Sequence, residues 1–313
     1  MASLKEVGER ALIRNLMGII RPGPFLGSED DAAVVDIAGG KIVASTDIVT
    51  FERHFPTGMT YEQFGWTAAA VNFSDIAAMG AKPLGLLTAL AMPDDLDENY
   101  LYDIVSGLDQ CAEFCNAHIL GGDTKPGSGV ITGTAIGTLE GRAPLLRSGA
   151  RPGDMIAVTG QLGSAAAAFA AIENGLENEY NLSALMVPIP KVREGLVLSE
   201  SGAVTSCMDL SDGLAEAAKS ICRASHVGME LQTEFIPEGD DVGEISTMTG
   251  IDKDDLLFYW GGDYELMFTF DKEKMGSLYD SDLEFSVIGM VTNGNGPYIS
   301  TGENRTMMKD GRY

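Results

Sequence analysis

The chain has 313 residues, enough for two domains of about 150 residues each, and its 45% hydrophobic and 21% charged content is that of a soluble globular protein. Its 46 acidic against 21 basic side chains leave a formal net charge of −25, which speaks against a nucleic-acid or anionic-membrane surface, since either needs clustered Lys and Arg. The longest small-apolar run, residues 165–172, is far short of the ~20 residues of a membrane span.

Residues 1–18 carry charges at Lys5, Glu6, Glu9, Arg10 and Arg14 and read as a short amphipathic helix, not a signal peptide. Asp30 and Asp31 precede an apolar strand candidate at 32–35. The β-rich stretch KIVAS (41–45) runs into Thr46 and Asp47. Residues 61–79 place apolar and alanine positions at helical spacing and stop at Gly80, with Pro83 just beyond. A second helix over 98–116 is followed by Ile119 and Leu120, then Gly121, Gly122, Asp123 and Thr124; residues 130–139 are again β-rich. The basic, Gly- and Pro-containing stretch 141–153 is the expected boundary, dividing the chain into 1–147 and 148–313.

In the second half, a strand at 155–159 leads to Gly160–Gln161–Leu162–Gly163–Ser164 and an alanine-rich helix, with Ser164 the expected N-cap. A strand–turn–helix spans 204–223, and 256–270 reads as a loop entering a strand. The alternation predicts a mixed α/β (or α+β) architecture in two halves. Cys111, Cys115, Cys207 and Cys222 form no metal or disulfide pattern, and are expected as buried, reduced thiols of a cytoplasmic protein.

The informative feature is where the acids fall. Asp31, Asp47, Asp75, Asp123, Asp209, Asp212 and Asp263 each lie where an apolar element meets Gly or Ser. Any one of them is ordinarily a turn or cap residue. Asp75 is harder to read so, because a carboxylate among Ala, Ile and Met at helical spacing is costly to bury without a partner. Several converging acids need cations between them, and Mg²⁺ suits carboxylate oxygens while completing its shell with substrate phosphates. An acidic protein can then bind polyphosphate, because the metals invert the local field. Ser45, Thr46, Ser74, Thr124 and Ser211 add hydroxyls at the same places. The GxxxxGK[ST] loop, GxGxxG, HExxH, the protein-kinase motifs and GxSxG are all absent.

In this order, EDDAAVV (29–35), STDIVTFERHF (45–55), AVNFSDIAAMGAKP (70–83), LGGDT (120–124), LLRSGARPGD (145–154), MDLSDGL (208–214) and GGDYEL (261–266) resemble the thiamine-monophosphate kinases. These belong to the ATP-binding superfamily that includes aminoimidazole ribonucleotide synthetase. The resemblance implies a two-domain fold of that type, with a metal- and ATP-binding N-terminal domain that pairs into a dimer sheet or barrel, and a C-terminal α/β domain. It implies metal ligation by Asp31, Ser45, Thr46, Asp47, Asp75, Asp123, Asp209 and Asp212, and ATP contacts at Gly122, Asp123, Arg147 and Ser211. It implies an acceptor site that includes His54 and the position of Gly262, with Tyr313 standing in for a C-terminal aromatic. The implied reaction is Mg²⁺-dependent, direct in-line transfer from ATP to thiamine monophosphate with no covalent enzyme intermediate, by a homodimer.

Three departures fall mostly on the acceptor side. Glu29 precedes the aspartate pair where the family carries Gly, Gly262 replaces the first acid of Gly-Gly-Glu-Asp, and the usual aromatic ending is missing. Two alternatives therefore stay open: another ATP-dependent enzyme of the superfamily with a different acceptor, or a non-catalytic Mg·ATP-binding regulator. Selenophosphate synthetase is disfavoured by the lack of any Cys before Cys111, and the hydrogenase-maturation relative by a chain that ends in Tyr.

Overall fold

The computed structural model describes residues 30–302 and 304–309 together with 15, 16, 19, 25 and 26. The helix expected over 1–18 lies outside the described residues except at 15 and 16, which are helical, and Tyr313 lies outside them altogether.

The first half runs β1 (Phe25–Leu26), β2 (Ala33–Ile37), β3 (Gly40–Thr50), α1 (Phe51–His54), α2 (Tyr61–Ala78), β4 (Lys82–Met92), α3 (Glu98–Phe114), β5 (His118–Pro126) and β6 (Val130–Thr138). Its sheet has the order β1-β2-β3-β6-β4-β5, antiparallel except for the parallel β4–β5 pair. A parallel pair needs a crossover, and α3 supplies it. The inward positions of β3, β4 and β6 meet α2, and Val43, Phe64, Phe73, Ile76, Leu86, Ile104, Leu108 and Ile131 form the core between the layers.

α2 begins with a capping box, in which the Thr60 hydroxyl accepts from Gln63 N while the Gln63 side chain accepts from Thr60 N. It ends where Gly80 takes a left-handed φ of +64°. It is buried on nearly every side, because the first sheet, α3 and elements of the second half all pack on it. A polar residue on α2 therefore faces protein in whichever direction it points.

The second half runs β7 (Met155–Thr159), α4 (Ser164–Glu173), α5 (Ser183–Met186), α6 (Val192–Ser201), β8 (Val204–Asp209), α7 (Leu214–Ser225), β9 (Gly228–Gln232), α8 (Val242–Thr249), α9 (Lys253–Phe258), β10 (Leu266–Phe270), α10 (Met275–Tyr279), β11 (Phe285–Thr292), β12 (Gly296–Thr301) and β13 (Asn304–Met307). Its sheet order is β13-β12-β9-β11-β7-β10-β8, antiparallel except at β12–β9. α4 and α7 share one core with Ile156, Val158, Met208 and Met229. The opposite face packs Ala157, Cys207, Phe268 and Phe270 against Leu198 of α6 and Ala78 of α2. All four cysteines are buried free thiols, as expected.

Three local expectations change. The stretch 256–270 contains the end of a helix, α9, before the strand. Asp123 lies inside β5, not at a turn. Ser164 is the first residue of α4, not its cap. Gly163 holds the cap position at φ +84°, and the orphan helix N–H groups are met from a distance: the Asp263 carboxylate accepts from Gly163 N at 2.7 Å and Ala165 N at 3.1 Å.

Candidate active site

Ser74 and Asp75, adjacent on α2, point to opposite partners and so tie the two halves together. The Ser45 hydroxyl on β3 donates to Asp75 Oδ2. The Ser74 hydroxyl donates 2.7 Å to Asp209 Oδ2, at the end of β8. Asp31, in the loop entering β2, completes the group: one carboxylate oxygen from each of Asp31, Asp75 and Asp209 lies within 4.8 Å of the other two. Ser211 donates to the second Asp209 oxygen at 2.7 Å.

Arg147 closes one side. Its Nη2 donates 2.6 Å to Asp31 Oδ1, and its backbone N donates 2.7 Å to Asp30 Oδ1. The Asp31 side chain is only 1% exposed, and its Oδ2 has no hydrogen-bond partner, nor does Arg147 Nε. An orphaned carboxylate oxygen and an orphaned guanidinium N–H, both buried, suit a cation and an anion respectively.

The electrostatics agree. Burial, opposed by Arg147 and reinforced by Asp209, pushes the Asp31 carboxyl up to about 7. Burial, then Asp209, Asp47 and Asp31, raises Asp75 well above the carboxylate range. Burial also raises Asp209, against the hydrogen bonds from Ser74 and Ser211. Burial works against the Arg147 charge, yet Asp31 outweighs it and holds the guanidinium more firmly protonated than usual. Three carboxylates that resist ionising together are what a divalent cation, binding only their charged forms, would relieve.

The remaining expected ligands divide. Asp47 sits two residues beyond Ser45 on the same face of β3, its backbone N donating 3.1 Å to Asn72 Oδ1, and its charge bears on Asp75. Asp212 follows Ser211 and bears on Asp209. The Thr46 hydroxyl points to the outer face of the sheet, donating 2.7 Å to Gly133 O and accepting from Thr134 at 3.1 Å. Asp123 is exposed on edge strand β5, where its carboxylate meets Thr124 N at 2.9 Å and Lys125 Nζ at 3.3 Å. Gly122 has to be glycine, since a Cβ there would stand 1.9 Å from Thr88 O on β4. Beside Thr124, a cleft of about 570 Å³ is lined by Leu101, Tyr102, Val105 and Ile119. Sequence reasoning missed this cleft, although the apolar pair Tyr102 and Val105, three apart on the exposed face of α3, was its signal.

Of the residues expected on the acceptor side, His54 ends α1. Its Nδ1 accepts from Thr50 N at 3.1 Å, and burial lowers its pKa. Gly262 adopts φ +98° with its N donating 2.9 Å to Ser211 O. Neither neighbouring acid replaces a side chain at 262. Asp263 is held on the start of α4, and burial pushes it up to about 6 against those N–H contacts. Glu265 is fixed by Thr159 at 2.6 Å and Lys191 at 2.9 Å.

Comparison with known proteins gives this geometry its setting. Residues 29–139 match the AIR synthase related protein N-terminal domain, and 151–301 the corresponding C-terminal domain. The thiamine-monophosphate kinase of Methanospirillum hungatei is 38% identical over 286 residues, covering 90% of this chain and 92% of that protein. That of Pyrococcus abyssi is 34% identical, covering 87% and 85%. The structure of AaThiL complexed with AMPPCP and TMP superposes with a TM-score of 0.86 at 27% identity, covering 97% of both chains. The hydrogenase maturation protein HypE in complex with ATP shares the fold, with a TM-score of 0.74 at 22% identity. The chain therefore belongs to the thiamine-monophosphate kinase family of AIR synthase-related proteins.

Proposed function

We propose that this chain transfers the γ-phosphoryl group of ATP to thiamine monophosphate, giving thiamine diphosphate and ADP, with Mg²⁺ held by its buried acids. The observation that carries the reading is the convergence of Asp31, Asp75 and Asp209, drawn from a loop, a helix and a strand end in both halves of the chain. Family membership and a relative solved with AMPPCP and TMP support it.

In this reading Asp31, Asp75 and Asp209 hold the cations, with Ser45, Asp47 and Asp212 beside them. Bound Mg²⁺ supplies positive charge that neutralises the polyphosphate. Arg147 binds a phosphate oxygen through the N–H groups that Asp31 leaves open, while Ser211, Gly122 and Asp123 contact the nucleotide. The base occupies the cleft at Tyr102. The set draws no hydroxyl from Thr46, which faces away. The acceptor phosphate, with a second pKa near ~6, is already largely a dianion at pH 7 and needs no general base. The protein's task is to bring two anions together in line, by position and charge. His54 lies on the acceptor side.

We further place the domain division at 147/148 and assign a homodimer formed through the outer face of the first sheet. Ile48, Leu84, Leu87 and Leu120 are each at least 41% exposed there, on strands β3, β4 and β5 of one sheet, apolar side chains that a second copy would cover. Among the described residues no helix is long and apolar enough to cross a membrane, in keeping with a cytoplasmic site of action.

Incubation with ATP, Mg²⁺ and thiamine monophosphate should yield thiamine diphosphate and ADP in equal amounts. Tight Mg·ATP binding without that product would favour the regulator that Gly262 keeps in view. Failure to bind either ATP or Mg²⁺ would end both readings.

A further inference from the structure

Residues 186–192 belong to the second half by chain order, yet they are fastened to the first. Met186 and Val192 are members of the first-half core, and Val187 packs against it. Trp66 Nε1, on the same helix as Ser74 and Asp75, donates 2.7 Å to Pro188 O. From this anchored stretch Lys191, which precedes α6, reaches across to the second half, where its Nζ meets Glu265 Oε1 at 2.9 Å. Both side chains are largely enclosed, at 20% and 9% exposure.

Glu265 is held from further directions. The Thr159 hydroxyl donates 2.6 Å to its Oε2 and itself accepts from Leu266 N at 2.9 Å. A Cβ on Gly160 would stand 2.2 Å from Glu265 Oε1, so glycine there leaves the carboxylate its place. Through its main chain Glu265 grips the end of β8: its O accepts from Leu210 N at 2.8 Å, and the next residue, Leu266, pairs with Asp209 across β10 and β8. One residue thus joins Lys191 by its side chain to the neighbour of Asp209 by its backbone.

A buried ion pair adds little net stability, because desolvation offsets the attraction, and its better-attested use is to fix register. Here two halves have to be kept in register. Asp75 belongs to one and Asp209 to the other, and a cation shared by both tolerates little error in where their oxygens stand. The Ser74–Asp209 hydrogen bond crosses this junction inside the acid group, and the Lys191–Glu265 pair crosses it from outside.

We infer that Lys191 is a positioning residue: through Glu265 it holds Asp209 where a cation shared with Asp75 requires it. Its ammonium is committed to Glu265, so it acts through that residue and not on a substrate atom. The inference rests on the cation-binding reading of the acids, not on the identity of the acceptor.

A cavity of about 630 Å³ lies against the pair, lined also by Gln161, Ser164, Ile189 and Phe285. It lets water reach a Glu265 that has lost its partner, so Lys191→Met, which keeps an apolar stem, should melt within a few degrees of the parent. Full-length protein is titrated with Mn²⁺ without nucleotide, followed by electron paramagnetic resonance. Lys191→Met should bind Mn²⁺ about 10-fold more weakly than the parent, the lower end of the range for groups that orient metal ligands. Lys191→Arg should regain most of that loss. Combined with Glu265→Gln, Lys191→Met should lose no more than it does alone, since one contact is removed either way. In turnover, the Mg²⁺ concentration for half-maximal rate should rise while the KM for ATP at saturating Mg²⁺ stays near that of the parent. A Lys191→Met protein with parental Mn²⁺ affinity and Mg²⁺ dependence would overturn the inference, as would losses in the two single variants that simply add. If Lys191→Met does not fold, the isosteric Glu265→Gln carries the same Mn²⁺ test with the same expected and contrary results. A parent that binds no Mn²⁺ would overturn the cation reading and this inference with it, whereas a binding parent with unmoved variants overturns this inference alone.

Discussion

Asp75 and Asp123 are both aspartates expected to bind metal, yet they occupy opposite environments. Asp75 lies on a helix enclosed by both halves of the chain, within a group whose members raise one another's pKa. Asp123 lies on an exposed edge strand, hydrated and already beside Lys125. The inner group is a set of buried carboxylates whose ionised forms are electrostatically costly together, because each is desolvated beside the others. The outer carboxylate carries no such cost, being exposed on the edge strand beside Lys125. Under the proposed function the inner group would hold a cation by itself, and Asp123 would do so only together with nucleotide.

The largest separation between the two should come from isosteric removal of charge. Asp75→Asn should lower Mg²⁺-dependent turnover by more than the ~10–100-fold typical of losing a hydrogen bond that supports a metal ligand, and should weaken Mn²⁺ binding measured without nucleotide. Normal activity in that variant would remove Asp75 from the metal set. A smaller effect is expected from pH. Asp31 is raised from an ordinary carboxylate value to about 7 in the fold, so the stability of the metal-free protein due to its neutral form is present at low pH and is lost as pH rises toward 7. The Tm difference between Mg²⁺-loaded and metal-free protein should therefore widen from pH 5 to pH 8; a constant difference would contradict the burial argument. Smallest is Asp123→Asn, expected to raise the KM for Mg·ATP about 2–5-fold, the scale of an exposed charge pair, and to leave nucleotide-free Mn²⁺ binding unchanged.

The same contrast explains what the sequence made legible. α2 and β3 could be read locally, the helix from apolar spacing that stops at Gly80 and the strand from KIVAS, and Asp75 stood out because its neighbours were apolar. The direction of each side chain was not readable, because it depends on partners far away in the chain. Ser74 is committed to Asp209, 135 residues on. The Thr46 hydroxyl is set on the outer face by strand alternation and by β6. The cap of α4 comes from Asp263, about 100 residues downstream, so a local rule pointed to Ser164 instead. Tyr264 lies within GGDYEL, but no local pattern foretells its left-handed φ of +52°.

In the proposed function the Asp31, Asp75 and Asp209 carboxylates together hold the cations that bind the nucleotide. Anomalous diffraction from crystals grown with Mn²⁺ and AMPPCP measures this directly. A Mn²⁺ peak ligated by oxygens of these three side chains and by a phosphate oxygen is expected. Ordered AMPPCP whose Mn²⁺ lies away from all three would contradict it.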